Sequence, residues 1–367
     1  MLNVRTNIRC AVFLVAGVLF YCTAADATAQ PPAAADHTDL SYFVDEHGAR
    51  RPIRSWNDWQ RRRDQVLRAV QEVMGPLPAP QSRAPLDIQV IEEVETSKYL
   101  LRKIYYVPEL GDRVPAYLLL PRGDVQHRPA MLCLHQTTAI GKGEPAGLGG
   151  LGTLHYAREL AERGFVCLAP DYPSFGDYKY DFNREDETYV SGSMKAIWNN
   201  IRGVDLLVSL PEVEAERIGV IGHSLGGHNA IFTAVFDERL KAVVTSCGFT
   251  GFRRYYGGDL KGWTSDRYMP RIRDVYQNDP SKVPFDFHEL IACLAPRAVF
   301  VSAPLRDDNF EVRGVREVIT DAAEIYRLEQ AETRLLAVYP AAPHEFPDQV
   351  RQEAYDWLAR MLTKESE

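Results

Sequence analysis

Ser224 stands in the run IGVIGHSLGG, residues 218–227, where a four-residue apolar stretch leads into a G-x-S-x-G turn and a helix-forming stretch, HNAIFTAVF, follows. A serine hydroxyl attacks a carbonyl only when its surroundings activate it. A tight strand-to-helix turn lifts the hydroxyl clear of the sheet. Glycines two before and two after let strand and helix pass close together, and the amino end of the helix favours the negative charge that develops in acyl transfer. On such an elbow the orienting acid and then the base follow the nucleophile along the chain. Of the nine histidines, His344 alone lies beyond the strand-like run Ala298–Ser302. It sits in the loop YPAAPHEF, residues 339–346, just before the last helical pattern, and is the expected base. The acid is expected after Ala298–Ser302, where Asp307 and Asp308 are adjacent in LRDDNF, residues 305–310. One of them can accept the Nδ1–H of His344, and the residues alone leave both open. No carboxylate directly follows the preceding strand-like run, SCGFTG, which argues against an acid there.

An oxyanion needs two preorganised backbone N–H groups. Leu225, directly after the nucleophile, is expected to supply one. The other is expected from HQTT, residues 135–138, with Thr137 first and Gln136 second. His135, at a strand end, is expected to support that loop. His155, His223 and His228 read as packing or surface residues.

The elements that must position these groups follow from periodicity. A helix is expected over Trp56 to Met74, with Trp59, Val66, Val70 and Val73 on one face and Gly75-Pro76 stopping it. Ile88–Glu93, Tyr99–Val107 and Val114–Pro121 read as an antiparallel edge. From residue 130 apolar strands alternate with helices: Ala130–His135, a helix Thr153–Arg163, Phe165–Ala169, a helix Val190–Leu210, Ile218–Ile221, and a helix starting at Ser224. Ala242–Thr245, Ala298–Ser302 and Leu335–Val338 complete the strands, with helices near Val315–Arg327 and Val350–Met361. Runs that are apolar throughout, such as IGVIG and AVFVS, fit parallel strands covered on both faces, and the alternation implies repeated βαβ units in one doubly wound sheet. The stretch 249–294 interrupts the rhythm between the sixth and seventh strands. Its Phe249, Phe252, Tyr255, Tyr256, Trp263, Tyr268 and Tyr276 either wall a pocket above the strand ends or pack among themselves.

With these motifs the chain resembles the α/β-hydrolase superfamily over nearly all its length beyond residue 29. It looks closest to the branch holding dienelactone hydrolases, acetyl xylan esterases and prolyl oligopeptidase catalytic domains. LAPDYPSFGDY (168–178), GHSLGG (222–227) and SAPLRDDNF (302–310) are similar to exported bacterial members of that branch. The resemblance implies an α/β-hydrolase fold, a Ser-His-Asp triad and Asp307, the first aspartate of its motif, as the acid. Departures bear on substrate. Dienelactone hydrolases carry cysteine where this chain has Ser224, glucuronoyl esterases carry arginine where it has Leu225, and the first hundred residues are too short for the propeller of prolyl oligopeptidases.

The remaining features set the context. Arg5 and Arg9, an apolar run from Cys10 to Tyr21 and the A-x-A pattern Ala27-Thr28-Ala29 have the build of a secretory signal peptide, residues 1–29, and imply a secreted or periplasmic protein. An N-terminal arm and helix, 30–85, and a catalytic domain, 86–367, complete the expected organisation. The formal charge of −8, one unit more negative once the signal is removed, gives no bulk attraction for nucleic acid or anionic lipid. Cys133, Cys167, Cys247 and Cys293 lack the spacing of a disulfide framework or a zinc site and are expected as buried free thiols. No metal or organic cofactor is expected. The function these readings imply is carboxylic ester hydrolysis through an acyl-enzyme, on a small-molecule or carbohydrate ester. A serine peptidase, or a non-catalytic binder on the same scaffold, is the alternative.

Overall fold

The computed structural model describes residues 36–123, 126–182 and 189–362; the expected signal peptide lies outside them. Two short strands come first, β1 (Tyr42–Val44) and β2 (Arg50–Pro52), then α1 (Trp56–Met74). The antiparallel edge is β3 (Gln89–Glu95), β4 (Tyr99–Tyr106) and β5 (Val114–Pro121). The alternating part runs β6 (Arg128–Leu134), α2 (Tyr156–Ala161), β7 (Val166–Pro170), α3 (Gly192–Ser209), β8 (Val213–His223), α4 (Leu225–Phe236) and β9 (Leu240–Ser246). The insertion carries α5 (Arg271–Asp274) and α6 (Phe287–Ala292), and β10 (Ala298–Ser302), α7 (Val312–Leu328), β11 (Leu335–Val338) and α8 (Asp348–Met361) close the chain.

Nine strands form one sheet in the order β11-β10-β9-β8-β6-β7-β5-β4-β3. The six from β11 to β7 are parallel, and β5, β4 and β3 run antiparallel to their neighbours. This is the α/β-hydrolase arrangement. β7, β9, β10 and the apolar parts of β6 and β8 are buried almost throughout, β11 at the edge is half-buried, and helices cover both faces. One face packs α1, α3, α4, α6 and α7, the other α2 and α8.

Register decides what stands at the carboxyl edge. Leu134 pairs with Gly222, His223 with Ser246, Ser246 with Ser302, and Ser302 with Val338. The loops leaving these residues therefore emerge side by side, where α/β sheets place their ligands. Thr137, Ser224, Asp307 and His344 lie in them, and Leu225 opens the helix that follows Ser224.

Three local readings need correction. Residues 42–52, expected within a loose arm, form a hairpin with Tyr42 and Phe43 buried; strands of three residues are too short to show periodicity. The helix expected over 153–163 is broken, a 3₁₀ turn at Gly152–Leu154 preceding α2, because His155 leaves helical geometry with ψ at 36°. β8 begins five residues before Ile218, since Val213 pairs with Arg128. In the insertion, Phe249, Phe252, Tyr255 and Trp263 are buried against Phe232, Phe285 and Phe287, so most of its aromatics build its own core.

Candidate active site

Ser224 joins β8 to α4 with φ 53° and ψ −116°, a strained geometry for a side-chain-bearing residue that persists only when the surroundings impose it. The imposition is visible. Its N–H donates to the Ser246 carbonyl at 2.8 Å, and its own carbonyl accepts from the N–H of Gly227 and of His228 at 2.9 and 3.2 Å. A Cβ at Gly222 would collide with the Gly226 backbone, and one at Gly226 with the Leu134 carbonyl. Strand, turn and the end of β6 touch through their main chains, and only glycine fits at both positions. Ser224 remains partly exposed at the top.

His344 and Asp307 meet across the next two loops. The Nδ1 of His344 lies 2.9 and 3.0 Å from the two carboxylate oxygens of Asp307, whose side chain is 1% exposed while that of His344 is 26% exposed. The Asp307 carboxylate also accepts the N–H of Asn309 at 2.8 Å and of Phe310 at 3.0 Å. Burial alone would raise its pKa. The hydrogen bond and charge of His344 and the two amides outweigh that and hold it below the ordinary 3.8. Asp308 is exposed, so of the two adjacent aspartates Asp307 faces the histidine. The His223 ring, next to Ser224 in the chain, stands edge-on to that of His344 at 5.0 Å, which sets His344 beside the elbow. His223 is buried with Nδ1 3.1 Å from the Ser246 hydroxyl, and burial and the neighbouring His344 push it down to about 3, so it stays neutral.

Cys247, at the start of the loop where no carboxylate was found, lies in the same cluster. Its sulfur is within 4.8 Å of the ligating atoms of Asp307 and His344. Burial, then the charge of Asp307, push its thiol well above the usual value, and it donates to the Glu345 carbonyl at 3.3 Å. It is a packed thiol, not a thiolate ligand or nucleophile. Cys133, Cys167 and Cys293 are likewise free and buried, as expected.

The loop after β6 is held by His135, which was expected to support it, and by residues that motif reading left without a role. His135 is buried, its Nε2 accepts the N–H of Tyr172 at 2.9 Å and its Nδ1 lies 2.6 Å from the Gln136 carbonyl, so it supports the loop. Burial lowers its pKa, which keeps the imidazole in that neutral form. The Asp171 carboxylate takes the Lys142 N–H at 2.7 Å, the Lys142 ammonium at 2.6 Å and the Asp177 N–H at 2.9 Å. Both charged side chains are buried, and the left-handed Gly141 and Gly176 leave the space this carboxylate fills, since a Cβ on either would strike it. Asp171 and Asp177 belong to the DYPSFGD motif and Lys142 to the GKG turn. The signal was present, but only the fold shows that the two stretches meet. Thr137 is exposed, its Oγ1 3.3 Å from the Tyr268 hydroxyl. Leu225 is buried beside Tyr172 and Phe175.

The sheet order, the elbow and the loop order define an α/β-hydrolase, and the comparisons agree. A family model described as fungal glucuronyl esterase matches residues 180–329. A Bacillus subtilis protein named as a hydrolase, YtaP, is 26% identical over 311 residues, covering 82% of this chain and 99% of that protein. Among solved structures, a glucuronoyl esterase from Solibacter usitatus superposes with a TM-score of 0.69 at 18% identity, over 88% of this chain and 98% of that one. Acetyl xylan esterase 1 from a Thermoanaerobacterium superposes with a TM-score of 0.54 at 17% identity, over 83% and 94%. The chain has the α/β-hydrolase fold, and the proteins it is similar to include esterases. No helix among the described residues is long and apolar enough to cross a membrane.

Proposed function

We propose that the protein is an exported serine esterase that deacylates carbohydrate esters, with Ser224 as nucleophile, His344 as base and Asp307 as the acid that orients it. The observation that carries this reading is the His344–Asp307 hydrogen bond standing beside a serine elbow. Asp307 accepts from Nδ1, which leaves Nε2 of His344 as the basic nitrogen. His344 takes the Ser224 proton as the oxygen attacks the ester carbonyl. The amides of Leu225 and Thr137 hold the oxyanion, and the imidazolium then protonates the departing alcohol. Water repeats the cycle on the acyl-enzyme and releases the acid. Substrate class is carried over from the relatives, whose names include glucuronoyl and acetyl xylan esterases. Leu225, apolar and buried, places no side-chain charge beside the nucleophile, which favours acetyl esters as the first substrates to test. Hydrolysis of aryl acetates and of acetylated xylo-oligosaccharide by the mature protein, abolished in Ser224→Ala, is the expected result. A folded protein that turns over no ester refutes the reading.

A further inference from the structure

The insertion reaches both loops that flank Ser224 through tyrosine hydroxyls, and the two reaches differ. The Tyr256 hydroxyl meets the Asn309 side chain at 2.9 Å from a position that is 60% exposed. Tyr268 is half-buried, and its ring packs on the small cluster of Tyr172, Phe175, Ala196 and Leu225 while its hydroxyl lies 3.3 Å from Thr137 Oγ1. It therefore touches the neighbourhood of both residues expected to supply oxyanion amides.

Its main chain is fixed from two other elements. The Ser193 N–H, in the first turn of α3, donates to the Tyr268 carbonyl at 3.2 Å, and the Gly192 N–H donates to the Asp266 carbonyl at 2.9 Å. From the loop after β7, the Tyr172 hydroxyl donates to the Arg267 carbonyl at 2.6 Å, and the Arg267 Nε donates to the Ser174 hydroxyl at 2.7 Å. A side chain anchored this way meets the exposed Thr137 with little freedom left to lose. Thr137 has no other side-chain partner among the described residues. The lock at Asp171 holds the same loop farther on, at Lys142, five residues past Thr137.

We infer that Tyr268 is a positioning residue for the oxyanion loop. By sharing a hydrogen bond with Thr137 Oγ1 it keeps the Thr137 amide turned toward the oxygen of the carbonyl that Ser224 attacks, and this is how the insertion takes part in catalysis. The inference rests on the esterase reading above. A donor held in place before the reaction lowers the barrier without tightening the ground state, so its loss falls on kcat rather than on KM.

The test is a double-mutant cycle on aryl acetate hydrolysis with Tyr268→Phe and Thr137→Val, each of which removes one partner and keeps the Thr137 amide. The expected result is a drop in kcat of about tenfold in either single variant, the size of one well-placed hydrogen bond, with KM within about twofold and no further loss in the double variant. Tyr256→Phe, the same change on the other reach, is expected to leave kcat within about twofold. Additive losses in the double variant would overturn the positioning role, because the tyrosine hydroxyl would then act without Thr137. So would unchanged kcat in Tyr268→Phe, or an equal loss in Tyr256→Phe, which would mark a general loosening of the insertion. If the wild-type protein hydrolyses no ester, the esterase reading falls and this inference with it. If wild-type is active and Tyr268→Phe is unaffected, the inference falls alone.

Discussion

The two sides of Ser224 are built on different physics. On the side of the β6 loop, position is fixed by a buried ion pair. Lys142 and Asp171 are both excluded from water, and two left-handed glycines shape the space around the carboxylate. On the side of His344, position is fixed by hydrogen bonds to a buried carboxylate that has no buried cation beside it, with only the histidine a quarter exposed. Removing one partner of a buried ion pair strands the other and costs far more than the pair contributes. Losing the Asp307 carboxylate strands two amides and a histidine open to solvent but no buried charge, so it costs less stability than breaking the ion pair and far more activity. Under the proposed function, the difference teaches that the oxyanion side is rigid scaffold, whereas the acid–base side is tuned chemistry in which the histidine tolerates the partial exposure an incoming substrate requires.

The sharpest way to break that contrast is to mutate one group on each side. Asp307→Ala is expected to lower kcat by about 10⁴, since the base then loses its tautomer and orientation, while the urea midpoint falls only modestly. Asp171→Asn leaves the Lys142 ammonium buried beside a neutral amide and retains only the more exposed Asp177 as its counter-charge. It is expected to destabilise the protein by about 3–5 kcal/mol in urea unfolding. Folded Asp171→Asn enzyme is then expected to keep a larger share of its kcat than Asp307→Ala does. If Asp307→Ala is the more destabilised of the two and Asp171→Asn the less active, the division proposed between scaffold and chemistry is wrong.

How much of this was legible before folding follows the same division. Ser224 and His344 could be read because an elbow demands glycine at fixed offsets and a base in a late loop, and both demands are local. Asp307 could not be separated from Asp308 on local grounds. A loop has no periodicity to say which of two neighbours turns inward, and what turns Asp307 inward is the closure of the Asn309 and Phe310 amides onto its own carboxylate. The resemblance pointed to Asp307, the aspartate that meets His344, for a reason the residues themselves do not display. The Lys142–Asp171 lock joins positions 29 apart in sequence, and no periodicity reports such a contact. The parallel strands were legible where they are apolar throughout, as in Ala298–Ser302 and Leu335–Val338, whereas the polar start of β8 and the short β1–β2 hairpin did not show. For the insertion each of the two readings describes part of it: Phe252 and Trp263 serve its own packing, while Tyr268 and Tyr256 reach the loops around the site.

Acid sharpens the contrast further. The pKa of His135 is lowered by burial in the folded protein, so the unfolded chain binds that proton more readily. The stability His135 contributes is whole above about 6.5 and is lost as pH falls from there toward its folded value. Asp307 is depressed below 3.8, so its contribution is whole above 3.8 and is lost only as pH falls through its lower folded value. Between these limits the oxyanion side weakens while the acid side holds. Urea unfolding from pH 7 to 4.5 is expected to give a shallower pH dependence in His135→Gln than in wild type, by at most one proton. The glutamine keeps an acceptor for the Tyr172 N–H without a titrating group, and His223 and His228 titrate alike in both proteins. Equal slopes would mean that His135 is not the acid-sensitive element of that side.

The smallest expected effect belongs to Asp308→Ala. Its carboxylate is exposed and makes no hydrogen bond or ion pair among the described residues. Asp307 meanwhile collects His344 and two amides, so nothing in the geometry asks Asp308 to orient the base. Aryl acetate kcat is expected to stay within about twofold of wild type and stability within about 0.5 kcal/mol, the range of an ordinary surface substitution. A loss of orders of magnitude in this variant, with Asp307→Ala still active, would mean that the loop turns over in the working enzyme and presents its second aspartate. The acid side would then owe its tuning to a rearrangement rather than to the amides of Asn309 and Phe310.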